Sequence, residues 1–137
     1  MRVHTYLFFE GRCAEAMLFY KEALGARLEK LLLNRDNPRP PPRGMLPPDT
    51  EDKVLHASFR IGDTLVLASD GLCRNPLSFL GFSLALSVAD AAEAERVLAA
   101  LSEGGMVQMP LGKTFWSPCF GMVADKFGVT WMISADN

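Results

Sequence analysis

The feature that most constrains the fold is an internal repeat at an offset of 78 residues. Ala14-Glu15-Ala16 recurs as Ala92-Glu93-Ala94. The apolar positions that follow also recur, with the i, i+3, i+4, i+7 spacing of an amphipathic helix packed on one face. They are Ala16, Phe19, Tyr20 and Ala23 in the first copy and Ala94, Val97, Leu98 and Leu101 in the second. Each stripe stops before a glycine, Gly25 or Gly104, which favours a left-handed helix C-terminus. Two copies of one helix predict a duplicated fold.

Strand-like segments flank both helices in the same order. One strand precedes each helix, His4–Phe9 in the first half and Phe82–Val88 in the second. Three strands follow each helix: Leu28–Leu33, Leu55–Ile61 and Thr64–Ser69 in the first half, and Met106–Pro110, Phe120–Asp125 and Val129–Ser134 in the second. Gly62-Asp63 and Lys126-Phe127-Gly128 supply turns. The chain is therefore predicted to be βαβββ written twice, an α+β protein. We expect one duplicated domain over residues 1–137, with modules at 1–72 and 80–137.

A proline-rich segment makes the first module longer. Asn34–Asp52 holds six of the nine prolines in the chain. Proline lacks the backbone donor and fixes φ, so this segment cannot be a helix interior or a central strand. We expect an exposed loop over residues 34–52.

Strand periodicity assigns a face to each side chain. In the last strand, Val129, Trp131 and Ile133 form the large apolar set that suits the helix side. Leu55, Ala57, Phe59 and Ile61 do the same in the third strand. The opposite faces are small, polar and adaptable: they carry His56, Ser58 and Arg60, then Ser83, Ala85 and Ser87, then Thr130, Met132 and Ser134. Such a face lines either solvent or a cavity.

Two groups of side chains are candidates for a binding site. His56, Ser58 and Arg60 are either a solvated sheet face or a pocket, in which Arg60 pairs with an anion and His56 acts as acid, base or ligand. One histidine alone does not make a metal site. Phe115 and Trp116 lie in an irregular segment, where large aromatic side chains either cover the core or form a wall against a ligand.

Charge and cysteine content exclude several classes of partner. The 14 basic and 16 acidic side chains give a net charge of −2, so neither nucleic acid nor an anionic membrane is an expected partner. The longest uncharged run, Asn75–Ala89, is too short to span a bilayer. Three widely spaced cysteines without a CxxC pair suit free thiols in a reducing cytosol, and we expect a cytoplasmic protein. Cys13, close to a helix start that lowers thiol pKa values, is the candidate for a reactive thiol.

Seven blocks of the sequence carry a family resemblance: Gly11-Arg-Cys-Ala-Glu-Ala16, Phe19-Tyr20-Lys21, Leu24-Gly25-Ala26, His56-Ala-Ser-Phe-Arg-Ile-Gly-Asp63, Lys113-Thr-Phe-Trp116, Phe120-Gly-Met-Val-Ala-Asp-Lys-Phe-Gly128 and Trp131-Met-Ile133. Together they resemble the PhnB-like family of the vicinal oxygen chelate superfamily, which includes glyoxalase I and the bleomycin- and fosfomycin-resistance proteins. The resemblance covers nearly the whole chain apart from the proline-rich loop. It implies paired βαβββ modules curled into a cup-shaped cavity, and usually a homodimer.

The same resemblance implies where metal-binding relatives place histidine and glutamate. Those positions fall here on Met132, on Ser83, on His4 or Thr5, and on Ser69 or Asp70. His4 is the one candidate for a strong ligand, and the Met132 thioether is a poor ligand for hard divalent ions. We therefore expect no tightly held metal and no cofactor.

The family is also described as demethylubiquinone methyltransferases. A strand, glycine-rich loop and helix that cradle an S-adenosyl cofactor are absent from the pattern, which offers only the isolated pair Gly104-Gly105.

These observations predict metal-independent binding of a small organic molecule in the sheet-lined cavity. His56 and Arg60 are expected to orient it, and Phe115, Trp116, Tyr6 and Phe8 to pack against it. Ser58, Ser83 and Met132 complete the predicted contacts. Two alternatives stay open: a metal-dependent lyase, transferase or dioxygenase-type enzyme of the same superfamily that uses His4 with His56, and a sequestration protein of the bleomycin-resistance type.

Overall fold

The computed structural model describes residues 1–136, in which two α-helices and eight strands follow the predicted order. The first set is β1 (Thr5–Phe8), α1 (Cys13–Leu24), β2 (Arg27–Leu33), a short 3-10 turn (Asn34–Asp36), β3 (Val54–Ile61) and β4 (Thr64–Ser69). The second set is β5 (Leu84–Val88), α2 (Ala91–Ser102), β6 (Met106–Gly112), β7 (Cys119–Ala124) and β8 (Thr130–Ala135). The chain divides into two compact units, Met1–Leu77 and Ser78 onward. The predicted pair of βαβββ modules is confirmed.

Each unit contains one four-stranded mixed sheet with the same topology. The strand order is β1-β4-β3-β2 in the first sheet and β5-β8-β7-β6 in the second. The strand that precedes the helix pairs in parallel with the last strand of its unit, and the other pairings are antiparallel. A parallel pair needs a crossover connection, and the helix lies in that connection.

The helix-facing sides of the two sheets form the cores. In the first unit, Tyr20 of α1 is fully buried and stacks on Phe59 of β3, with ring centroids 6.1 Å apart and planes 10° apart. In the second unit, Leu101 of α2 and the alternate residues Trp131 and Ile133 of β8 are buried. Each such side chain stabilises the fold by about 1.5–3 kcal/mol. Strand periodicity therefore predicted the buried face of β8 correctly.

Side chains near the ends of two strands depart from the predicted alternation. The pairing register shifts between Leu32 and Leu33, so Val54 turns into the core and Leu55 is only half-buried. This is a β-bulge, in which one extra residue reverses the alternation beyond it. Ile61, at the hairpin end, is also half-buried. Phe82 lies outside β5 and is exposed, with its ring edge-to-face against Phe79.

The two helices begin and end differently. Asp90 caps α2 in the usual way, since its carboxylate accepts a hydrogen bond from the Glu93 amide at 2.8 Å. Arg12 precedes α1 and provides no side-chain cap. Gly25 ends α1 with a φ of 68°, as predicted. The second helix ends at Ser102 and is capped by Glu103. Gly104 has a left-handed φ, as predicted, but it lies one residue beyond the cap.

The proline-rich segment is a largely exposed loop, as predicted. Hydrogen bonds and an ion pair hold it at several points. The Asn34 side chain donates to the Thr50 carbonyl at 2.8 Å, and Arg35 forms an ion pair with Asp52. Arg74 donates to the carbonyls of Gly44 and Met45. A cavity of about 350 Å³ lies within the loop, and none of the predicted ligand contacts lines it.

Neither helix of residues 1–136 has the length and apolar character needed to cross a membrane.

Candidate functional site

The face of the first sheet that α1 does not cover carries most of the predicted contacts. We call it the first open face. One row of residues crosses all four strands in register, from Lys30 through Ser58 and Leu67 to Tyr6. The neighbouring residues Ala57 and Phe59 point to the core, so Ser58 lies on the open side. Periodicity predicted Ser58 on this face, and Tyr6 was expected only as an aromatic contact of the ligand. Lys30 and Leu67 were missed.

Tyr6 and His56 form a hydrogen-bonded pair on this face. The Tyr6 hydroxyl lies 3.2 Å from Nδ1 of His56, and the two ring centroids are 5.8 Å apart. This contact joins β1 to β3 across the intervening strand β4. No other described residue makes a hydrogen bond to the His56 ring, so Nε2 is available to a ligand as a donor or an acceptor, depending on the tautomer.

Aromatic surface extends from this pair along β1. Tyr6 and Phe8 are 37% and 51% exposed, and their ring centroids lie 4.9 Å apart. His4 is exposed and precedes β1, outside the strand predicted to contain it. An exposed aromatic pair beside a hydrogen-bonding pair is a surface on which a flat organic molecule can pack and be oriented.

Arg60 lies on the same face but already has partners. Its Nε donates to Glu29 Oε1 at 2.5 Å, and its Nη1 donates to the Asp63 carbonyl at 2.9 Å. The predicted pairing of Arg60 with an anionic ligand would therefore compete with Glu29. Glu29 went unrecognised in the sequence because a register shift between Leu28 and Lys30 interrupts the alternation of β2.

The second sheet has an open face of different chemistry. Its four strands contain no Asp, Glu, Lys, Arg or His within the described residues. Thr130, Met132 and Ser134 alternate with buried neighbours, as predicted. Ser83 lies just before β5, and its hydroxyl forms a hydrogen bond of 2.7 Å with that of Thr130. The Thr130 hydroxyl donates in turn to the Phe82 carbonyl at 2.9 Å.

Phe115 and Trp116 project from the connection between β6 and β7. They are 97% and 58% exposed, and their rings meet edge-to-face at 4.7 Å. Trp116 also packs edge-to-face on the buried Phe120, at 5.3 Å. Two hydrogen bonds between Thr114 and Ser117 close this connection into a turn. The Ser117 amide donates to the Thr114 hydroxyl, and the Thr114 amide donates to the Ser117 carbonyl. Trp116 therefore covers part of the second sheet, while Phe115 presents its ring to solvent.

The residues at the implied metal positions do not form a donor set for a hard divalent ion. The hydroxyl of Ser69 accepts the Gly71 amide at 3.1 Å, and Asp70 is occupied by backbone amides. Ser83 is bonded to Thr130, and Met132 offers only a thioether. The residues described by the structure contain no group of three or more His, Cys, Asp and Glu side chains placed to share a metal.

The helix N-termini do not fit the phosphate or carboxylate of a nucleotide-type cofactor. The Asp70 carboxylate accepts the amides of Gly11 and Cys13 where α1 begins, and Asp90 caps α2. A helix N-terminus attracts an anion, but here a carboxylate of the chain already lies at each one and accepts one helix amide, that of Cys13 in α1 and that of Glu93 in α2. The pair Gly104-Gly105 makes the turn into β6, against Ala124 and Asp125.

The environment of Cys13 disfavours its thiolate, which argues against the candidate reactive thiol and agrees with the expectation of three free thiols. Cys13 is buried, and burial together with the neighbouring charge of Asp70 raises the pKa of the Cys13 thiol far above its usual range. Burial also raises the pKa of Cys73; Asp70 and Glu10 add to that rise, and Lys53 partly offsets it.

A thiol titration follows from these environments. At pH 8 we expect dithionitrobenzoate to react with one thiol per native chain, that of half-buried Cys73, more slowly than with free cysteine. The rate should keep rising above the usual thiol pKa, because the thiolate forms later there. All three thiols should react in denaturant, and Cys73→Ser should abolish the reaction of the native chain. Rapid labelling of Cys13 in the folded protein would contradict this assignment.

Two βαβββ units, each with a mixed sheet and one open face, define a protein of the vicinal oxygen chelate fold. The fosfomycin resistance protein FosX from Mesorhizobium loti shares this fold, with a TM-score of 0.62 at 14% identity over 100% of this chain and 92% of that one. Residues 1–134 match the family described as 3-demethylubiquinone-9 3-methyltransferase. The chain belongs to that family, the PhnB-like branch of the superfamily.

Similar proteins come from several bacteria. Protein YjdN of Escherichia coli K12 is 36% identical over 98% of this chain and 95% of its own length. The crystal structure of protein PA1353 from Pseudomonas aeruginosa is 43% identical, with a TM-score of 0.84 over 98% of this chain and 97% of that one. A Bacillus cereus structure titled putative 3-demethylubiquinone-9 3-methyltransferase, PhnB protein, is 26% identical, with a TM-score of 0.80 over 98% and 99% of the two chains.

Proposed function

We propose that this protein binds a small organic molecule on the first open face, without a tightly held catalytic metal. The observation that carries the proposal is the Tyr6–His56 pair. It lies on an uncovered sheet face, beside the exposed ring of Phe8, and His56 has one ring nitrogen without a partner among the described residues. The proposed ligand has a flat apolar part, which packs on Tyr6 and Phe8, and a polar group that hydrogen-bonds to Nε2 of His56.

The electrostatics of the face suit a neutral or singly anionic ligand. Glu29 offsets the charge of Arg60 at 2.5 Å, while Lys30 is exposed at the end of the row that contains Tyr6. A carboxylate or phenolate that reaches Lys30 would gain a charge-assisted contact, which is stronger than a neutral hydrogen bond. Arg60 would contribute only if the ligand displaced Glu29.

The chain contains only two histidines, so NMR of their rings tests ligand binding at His56 directly. In proton NMR of untagged protein, His4→Ala assigns the two sets of ring signals. We expect at least one member of a fragment set of phenols, benzamides and benzoates to shift the His56 signals and leave those of His4 in place. Tyr6→Phe keeps the ring but removes the hydroxyl that contacts Nδ1 of His56. It should weaken that fragment by about 2–10-fold, because the His56 ring is then held less firmly for the contact at Nε2.

His4→Ala is the matched control, since His4 is exposed and outside the sheet. It should leave the affinity of the fragment unchanged, whereas His56→Ala should reduce it below detection. The proposal fails if no fragment shifts the His56 signals, or if a bound fragment has the same affinity for His56→Ala.

The proposal includes a cytoplasmic homodimer. The three cysteines of the described chain are free thiols, which suits a reducing compartment. Edge strand β6 exposes Met106 and Val107, apolar side chains that an interface would cover. Sedimentation equilibrium at micromolar concentration should give the mass of two chains, and a monomer mass at every concentration would exclude the dimer.

A further inference from the structure

Methionines are concentrated on the open face of the second sheet. Of the seven methionines in the chain, four lie in its strands: Met106 and Met109 in β6, Met122 in β7 and Met132 in β8. Met109 pairs directly with Met122, and Met122 pairs directly with Met132. Three thioether side chains therefore form one continuous row across three adjacent strands. We call Met109, Met122 and Met132 the methionine row.

The register brings the three side chains within reach of a shared ligand. Residues directly opposite each other on neighbouring antiparallel strands have Cβ atoms about 4.5–5.5 Å apart. Methionine is unbranched and has three rotatable bonds, so neighbouring sulfur atoms can converge above Met122 without movement of the backbone. Met109 is 44% exposed, and Met122 and Met132 are half-buried, so the row is open to a solute.

The chemistry of the row selects one class of ion. Thioethers are soft ligands that favour Cu(I), whereas Mg²⁺, Mn²⁺ and Zn²⁺ prefer oxygen, imidazole or thiolate donors. The four strands carry no His, Asp or Glu to compete for the ion, and their one thiol, Cys119 of β7, is buried. The half-exposed position lets a monovalent cation retain water, which limits the cost of desolvation.

We propose that the methionine row is a binding site for a soft monovalent metal ion, Cu(I) or Ag(I), with Met122 as the central ligand. This site lies on the second sheet and goes beyond the proposed ligand site of the first. The hard-metal position implied by the family resemblance carries Met132 here, and that residue becomes one end of the row.

Silver titration of the full chain tests the site without redox chemistry. The experiment uses Cys73→Ser as the background, because the thiol of Cys73 would itself bind Ag(I). Calorimetry with silver nitrate in chloride-free buffer should show one Ag(I) per chain. The dissociation constant should be the same at pH 5.5 and pH 7.5, since a thioether does not titrate, unlike histidine or cysteine ligands.

Met122→Leu, a volume-conserving change, should keep the fold and weaken Ag(I) binding at least about tenfold, which is 1.4 kcal/mol. Met45→Leu is the matched control: Met45 is an exposed methionine of the proline-rich loop, and its replacement should change nothing. Circular dichroism of each variant confirms folding.

The proposal is overturned if Ag(I) does not bind, if Met122→Leu binds it as tightly as the background, or if binding weakens at pH 5.5 as imidazole or thiolate ligation would. The proposed silver site is independent of the Tyr6–His56 pair, so His56→Ala should leave Ag(I) binding intact.

Discussion

Asp70→Asn should lower the free energy of unfolding of the first unit by about 3 kcal/mol, because it disrupts a charge-assisted network within the core. Asp70 is 1% exposed. Its Oδ1 accepts the amides of Gly11 at 2.9 Å and Cys13 at 2.7 Å, and its Oδ2 accepts the amide of Val54 at 2.7 Å. Asparagine keeps one acceptor oxygen and turns an NH₂ group against the remaining backbone donors. Urea denaturation followed by circular dichroism measures the loss.

Asp90→Asn is the matched control for this prediction. Asp90 also accepts an amide at a helix start, but it is exposed, and asparagine is an equally good N-cap residue. We expect a change within about 0.5 kcal/mol there. Equal effects of the two substitutions would show that Asp70 acts as an ordinary surface cap and not as the buried link between α1, β3 and β4.

The fold was predictable because its signals are local and occur twice. The helix stripe ending at Gly25 and the alternation around Trp131 depend only on neighbours in sequence. The cap of α1 was not predictable in this way, because Asp70 lies 57 residues after Cys13 along the chain. Only the parallel pairing of β1 with β4 brings the end of β4 to the start of the helix.

The candidate site was predictable in its faces but not in its pairings. Alternation assigned His56 to the open side, yet it could not show that the Tyr6 hydroxyl reaches the ring from β1. A bulge caused one further miss, since the register shift at Glu29 hid the partner of Arg60. The methionine row depends in the same way on register, which strand periodicity within one segment does not contain.

Gly105→Ala should destabilise the second unit by about 3 kcal/mol or more, the upper range for forcing atoms into packed structure. A Cβ atom on Gly105 would overlap the carbonyl oxygen of Ala124 and come within 2.9 Å of the carbonyl carbon of Asp125. Both obstacles are backbone, so no side-chain rotation relieves them. The Asp125 carboxylate also accepts the amides of Phe127 and Val129 and the indole N–H of Trp131, so movement there would disturb the turn into β8.

Gly112→Ala, at the other end of β6, separates this steric effect from the general cost of losing a glycine. A Cβ atom on Gly112 meets nothing within 4 Å, and its φ lies outside the left-handed region. We expect no loss of stability, or a gain of up to about 1 kcal/mol, because alanine restricts the unfolded chain. Thermal unfolding of both variants beside the parent protein is the measurement. If Gly105→Ala and Gly112→Ala have the same melting temperature, the start of β6 does not lie as close to the Ala124–Asp125 backbone as the structure places it. The register that aligns Met109 with Met122 would then lack support.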